Sequence, residues 1–154
     1  MAKTKIYKCG FRHCQHESCD VSQDEAVRIG SRYFHEDCAK TYHNIEAIKQ
    51  LYYEKVSNTV VMPQLINVVN NILFKKHIDS DYLLFALQYA INTKRTINYP
   101  QGLHYIIDDY RIKEAWKKQQ LNAVKKAKFE ATPTSMPTFN IAPTKEKGIE
   151  DLFN

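Results

Sequence analysis

His35-Glu36-Asp37-Cys38, reached through Ala26-Val27-Arg28-Ile29-Gly30-Ser31-Arg32-Tyr33-Phe34, decides how the first quarter of this chain folds. Branched and aromatic residues on either side of Gly30-Ser31 read as a short hairpin, because they favour strands while glycine favours the turn. A helix is expected from Glu36, with Glu36 and Asp37 where the helix dipole favours negative charge. If His35 ends the hairpin and Cys38 lies in the first helical turn, both side chains face one point. Lys5 to Lys8 reads as a further strand.

A histidine and a cysteine aimed at one point are half of a tetrahedral metal site, and zinc is the usual guest of thiolate and imidazole donors. The other half must come from Cys9, Cys14 and Cys19, which with Cys38 are the only four cysteines. Cys9/Cys14 and Cys14/Cys19 both leave four intervening residues. The first choice leaves twenty residues before His35 and the second fifteen, so the hairpin's need for room favours Cys9, Cys14, His35 and Cys38. Cys19 is then a spare thiol tucked under the finger. His13 and His16 flank Cys14 and read as surface residues. His43, His77 and His104 are isolated, and are expected to be solvent-exposed or hydrogen-bonded. Four protein ligands leave no open position, so one structural zinc ion is expected and no catalytic one.

The rest of the chain reads as helices. Ile45, Ile48, Leu51, Tyr52 and Val56 recur at helical spacing. Pro63 opens a second helix, whose apolar stripe includes Leu65, Val68, Val69, Ile72 and Leu73. Asp79-Ser80-Asp81 can cap a third, and its run Tyr82-Leu83-Leu84-Phe85-Ala86-Leu87 is apolar all round, as a central helix would be. After a break at Asn98-Tyr99-Pro100-Gln101-Gly102, the helical pattern resumes from Leu103, through Trp116 and on to about Lys128, with residues 111 to 130 set apart as a basic helical extension. From Ala131 three prolines (133, 137 and 143) mark a flexible tail ending in Ile149-Glu150-Asp151-Leu152-Phe153-Asn154. The fold expected is mainly α: a zinc finger over 1–42, a helical domain over 43–130 and a tail over 131–154.

At 154 residues, 44% apolar and 12% aromatic, the chain can build a core. No apolar run is long enough for a transmembrane helix, and Met1-Ala2-Lys3-Thr4-Lys5 does not lead into a signal-peptide stretch. A cytoplasmic protein without a membrane partner is expected, and in a reducing compartment clustered cysteines favour metal over disulfides. No Ser/His/Asp set, phosphate-cradling glycine loop or carboxylate pair stands out, so neither an enzyme nor a small-molecule substrate is expected. Glu36 and Asp37 would be the only candidate bases of a zinc hydrolase.

Charge is concentrated rather than large. The chain carries a net +5, yet residues 111 to 128 hold Arg111, Lys113, Lys117, Lys118, Lys125, Lys126 and Lys128 against the single acid Glu114. Such a ridge can neutralise phosphates with little regard to sequence. Tyr110 and Trp116 could stack on unpaired bases. The plainer reading is a solvated face with Trp116 packed inward.

Four resemblances add to this reading. The cysteines, the hairpin and His35-Glu36-Asp37-Cys38 resemble a treble-clef finger, as in half of a LIM domain, although the first ligand pair is separated by four residues rather than two. The same region, with Gly102-Leu103-His104-Tyr105-Ile106-Ile107-Asp108-Asp109, is similar to small proteins from phages of Gram-positive bacteria. Ala90 to Tyr99, then Tyr105-Ile106-Ile107 and Trp116, is similar to the DNA-contacting module of DnaD-like replication-initiation proteins. Pro100-Gln101-Gly102 interrupts where that module continues its helix. Leu152-Phe153 after acidic residues resembles peptides that dock on the bacterial sliding clamp, which usually begin with Gln where Ile149 stands here. Together these imply a phage-type accessory protein of DNA replication, recombination or transcription, acting inside an infected or lysogenic bacterium. Its partners would be DNA or a replication or transcription protein. The competing reading is a protein-interaction module that modulates a host enzyme, with the finger structural.

Overall fold

Ile45, Ile48 and Tyr52 lie three and four residues apart, share one helix face and are all buried. They belong to α1 (Glu36–Lys55), which at 1.5 Å per residue is about 30 Å long. In this computed structural model, which describes residues 3–130, α1 is the beam on which the rest is built. Its first turn also buries Cys38 and Ala39 among the N-terminal strands. The boundary expected between residues 42 and 43 therefore falls inside one unbroken helix.

Ahead of α1 stand two small antiparallel pairs. β1 (Ile6–Lys8) pairs with β2 (Asp20–Ser22), and β3 (Val27–Ile29) pairs with β4 (Arg32–Phe34). Ile29 faces Arg32, so the second hairpin turns on Gly30-Ser31, and Gly30 takes φ +60°, where a side chain would be strained. Tyr7 stacks on Tyr33 with ring centres 3.9 Å apart, joining the two pairs.

Beyond α1 the chain continues through α2 (Met62–Asn70), which has Pro63 in its first turn as expected. A π-helical turn, Asn71–Lys75, follows directly, with the Lys76 amide donating to the Asn71 carbonyl at 3.1 Å. The wider turn accompanies the burial of the consecutive Ile72 and Leu73. α3 (Ser80–Asn92) starts on Asp79, whose carboxylate accepts from the Asp81 amide at 2.8 Å. Tyr82, Leu83, Ala86, Leu87 and Ala90 of α3 are buried, so this helix holds the centre of the core. Asn44 of α1 donates to Ser80 Oγ and to Asp81 Oδ1, and Lys40 pairs with Asp81 at 2.5 Å, so a polar seam also ties α1 to α3.

The helical pattern expected from Leu103 to about Lys128, with its basic extension from residue 111, forms two helices: α4 (Gly102–Asp108) and α5 (Tyr110–Glu130). Asp109 sits between them with extended backbone (φ −67°, ψ 124°). Its Oδ1 accepts from the amides of Arg111 (2.8 Å) and Ile112 (3.3 Å), and its Oδ2 is held by Arg95. An aspartate that caps the amides ahead of it competes with helix continuation, which is why the helical pattern breaks here. α5 is anchored by Ile112, fully buried, and by Trp116, whose ring lies 5.8 Å from Tyr82 and 5.1 Å from Phe85. From Lys117 to Glu130 every residue is exposed. Trp116 is thus packed inward and does not serve as a free stacking platform, whereas Tyr110 stands exposed.

Two histidine expectations also meet the structure. His43 and His77 are exposed, His77 with left-handed backbone (φ +54°). His104 is not satisfied: its Nδ1 is buried without a hydrogen-bond partner, and burial, then Lys76, pushes its pKa down. The neutral ring is the form such surroundings favour. Among the described residues no helix is long and apolar enough to cross a membrane. The tail over 131–154, with Leu152 and Phe153, lies outside the described residues.

Candidate metal centre and basic helix

Cys9 follows β1 directly and is held on two sides. Its amide donates to the Cys19 carbonyl at 2.7 Å, and it bridges to Tyr33 of β4. The next amide, of Gly10, donates to the Tyr33 carbonyl at 2.7 Å. A Cβ at Gly10 would come within 2.9 Å of Arg32 Cβ, so only glycine lets the chain run this close to the hairpin. The loop then turns Cys14 back towards the end of β4 and the start of α1. His35 sits at the N-cap of α1 without capping it, because its ring is turned to the cysteines instead.

The ligand atoms of Cys9, Cys14, His35 and Cys38 all lie within 4.8 Å of one another. His35 Nδ1 is 3.6 Å from Cys14 Sγ and 3.8 Å from Cys38 Sγ. A tetrahedron with metal–sulfur bonds of about 2.3 Å and a metal–nitrogen bond of about 2.05 Å has S···N edges of about 3.6 Å and S···S edges of about 3.8 Å. The two S···N edges from His35 Nδ1 to Cys14 and Cys38 are therefore close to those a tetrahedral ion of that radius requires. The outer ring nitrogen, Nε2, lies 2.9 Å from the Asp20 carbonyl. Nε2 must then carry the proton, which leaves Nδ1 with its lone pair aimed at the cysteines.

Electrostatics points the same way. Burial pushes the Cys38 thiol well above its ordinary range, and the neighbouring Cys14 and Cys9 push it further. A divalent cation at this point would offset that cost, because metal binding takes the thiolate form.

Cys19 stands apart. Its backbone is left-handed (φ +50°) and its thiol turns to the His16 carbonyl at 3.4 Å. It serves the loop as a turn residue, its carbonyl receiving the Cys9 amide, so the tetrad is built on Cys9 and Cys14. His16, expected as a plain surface residue, does more. Its ring stacks on His35 at 3.8 Å and its Nε2 lies 3.1 and 3.0 Å from the two Asp37 oxygens. Burial would raise the Asp37 carboxyl, but His16 and backbone amides outweigh it and hold the group below its usual range. His16, Asp37 and Cys38 also fall within the reach of a shared ion, but Cys38 already belongs to the tetrad. His13 stacks on Phe74 at 4.2 Å, and Phe11 lies 5.9 Å from the same ring, so the loop is clasped to the π-helical turn. A cleft of about 310 Å³ opens beside this clasp, lined by Phe11, His13, Asp37, Phe74, His77 and Asp79 among others.

Sequence reasoning missed Asp20, because any residue can offer a carbonyl. It missed the His16–Asp37 pair, which depends on how the loop folds back over α1. Gly10 did carry a signal, being one of only four glycines and adjacent to a ligand.

The seven cations expected to meet nucleic acid all lie on α5. Arg111 and Lys113 belong to its anchored first turn, and the five lysines from 117 onward to the projecting part. Lys117 is 3.3 Å from Glu114, one turn back. Leu121, Val124 and Phe129 are exposed on the same stretch, Phe129 to 88%.

Fold and site define a mostly helical chain with two small hairpins and a cluster of three cysteines and one histidine able to hold a metal ion. Compared with known protein families, curated proteins and solved structures, the chain matches none.

Proposed function

We propose that this is a non-catalytic accessory protein that binds nucleic acid through α5, with Cys9, Cys14, His35 and Cys38 forming a treble-clef zinc finger that steadies its amino terminus. The carrying observation is the projecting end of α5: fourteen exposed residues bearing Lys117, Lys118, Lys125, Lys126 and Lys128. A cationic rod held clear of its own core suits a polyanion, and neutralising several phosphates would give strongly salt-dependent affinity. The structural role of the zinc is supported by four ligands that fill a tetrahedron, and by Asp37 being engaged with His16. The resemblances to phage proteins and to the DnaD-like module favour a setting in DNA replication, recombination or transcription, with Leu152 and Phe153 of the tail as a second contact to the replication machinery.

The test is electrophoretic mobility of labelled DNA with the full zinc-loaded chain at low and moderate salt. Binding that weakens steeply with salt is expected; no shift at low salt would end the nucleic-acid reading. A second reading, a module that docks on a host protein, is favoured by the exposed Leu121, Val124 and Phe129. Co-purification from a host bacterium of one protein, in the absence of any DNA binding, would favour it.

A further inference from the structure

The arrangement of cations around α5 says more than their number. At 100° per residue, Lys113, Lys117 and Lys128 fall within about 60° of one another on one flank. Lys118, Lys125, Arg111 and Lys126 cover about 100° on another, centred about 140° away. Leu121 and Glu114 lie between the two flanks. The opposite side carries Ile112 and Trp116, which hold the core, and continues as Gln119, Ala123 and Ala127, with no cation on it. The helix therefore has two cationic edges with a strip between them that faces away from the protein.

One anionic edge would need one cationic flank; two flanks call for two. From this we infer that α5 seats in the major groove of a nucleic-acid duplex, its flanks against the two backbones and Leu121 towards the bases. The inference rests on the nucleic-acid reading above and specifies its ligand. The groove of B-DNA is about 12 Å wide and admits an α-helix. The cations extend from Arg111 to Lys128, about 26 Å along the axis, enough to follow a groove past several phosphates on each side. The exposed stretch from Lys117 onward gives the duplex room to approach without meeting the core. A single strand lying along the helix would meet one flank and leave the other unused. A second copy of this chain would bring like charges together and is disfavoured by them.

The test uses the zinc-loaded full chain with fluorescein-labelled duplex and single-stranded oligonucleotides of equal length, titrated across a salt series. Two variants are compared: Lys113→Gln/Lys117→Gln/Lys128→Gln, and Lys118→Gln/Lys125→Gln/Lys126→Gln. These side chains are exposed, and circular dichroism checks that the helix persists. Duplex should bind more tightly than single strand. Each triple variant should lose at least tenfold in duplex affinity at low salt, and the slope of log K against log salt should become shallower by about 2 to 3. Equal or tighter binding of single strand, or loss confined to one flank, overturns the groove assignment while leaving nucleic-acid binding intact. Absence of binding to either oligonucleotide overturns both.

Discussion

Cys14 is the residue on which the finger depends most directly. It faces His35 Nδ1 at 3.6 Å, and it is shared by both ligand pairs that the sequence spacing permits. A unit this small has too little core to fold by itself, with only Val21, Phe34, Cys38 and Ala39 buried among its described residues, so bound metal would supply much of its folding energy. Cys14→Ser should therefore lose zinc, measured as less than one equivalent by atomic absorption, together with the stacking environment of Tyr7 and Tyr33. Cys19→Ser is the counterpart: with its thiol turned to the His16 carbonyl, its loss should leave one equivalent bound. Zinc loss from the Cys19 variant, or retention by the Cys14 variant, would refute the tetrad. The pair His35/Cys38 was legible from its position between hairpin and helix. The choice of Cys9 over Cys19 was only favoured, because it turns on which thiol the loop presents, and that follows from backbone contacts of Cys9 and Gly10 with Tyr33 that leave no mark on spacing.

At the level of elements, the helices with the strongest apolar periodicity were legible, down to Pro63 opening α2 and Asp79 capping α3. The division at Asp109 showed only as the change to basic composition from residue 111, because apolar spacing runs through it and a cap is decided by one side chain's partners. Asp109 has two roles that substitution can separate. Asparagine caps as well as aspartate, so Asp109→Asn removes the charge from the Arg95 pair and keeps the cap, whereas Asp109→Ala removes both. The alanine variant should be the less stable of the two, by about 1 kcal/mol for the lost cap. The Arg95 hydrogen bond is the largest influence on the Asp109 carboxyl and, against a smaller effect of burial, holds its pKa below the usual carboxylate range. A carboxylate with a depressed folded pKa stabilises above its unfolded value of about 3.9 and loses that contribution as pH falls through the lower folded value. The stability gap between the parent and Asp109→Asn in thermal melts should thus be present at pH 7 and close below about pH 4. A gap that persists unchanged in acid would show that it does not come from the charge on Asp109.

For the whole molecule, the question is how far the finger and the helical core depend on each other. They share α1, and Phe11 packs against both apolar clusters, with Phe74 and His13 completing the clasp. Yet the large cluster, from Ile45 to Ile112, takes no fully buried residue from the strands, and its centre is α3 against α1, α4 and α5. Coupling is therefore through one helix and the aromatic clasp of Phe11 and His13 on Phe74, not through a common core. Chelation of zinc should unfold the strands and fray the first turns of α1, which His35 and Cys38 tie down, while α2 to α5 stay folded. Far-ultraviolet circular dichroism should keep most of its helical signal after treatment with a strong chelator. Hydrogen exchange should accelerate over residues 5–42 and, through the loss of Phe11 and His13, over the π-helical turn at Asn71–Lys75. DNA affinity, if α5 carries it as proposed, should change little, since α5 is anchored by Ile112, Trp116 and the Arg95–Asp109 pair, whose partners include none of the four ligand residues. Cooperative loss of all helical signal on chelation would instead mean that the metal holds the entire fold, and that the clasp at Phe74 carries far more of the stability than its two aromatic contacts imply.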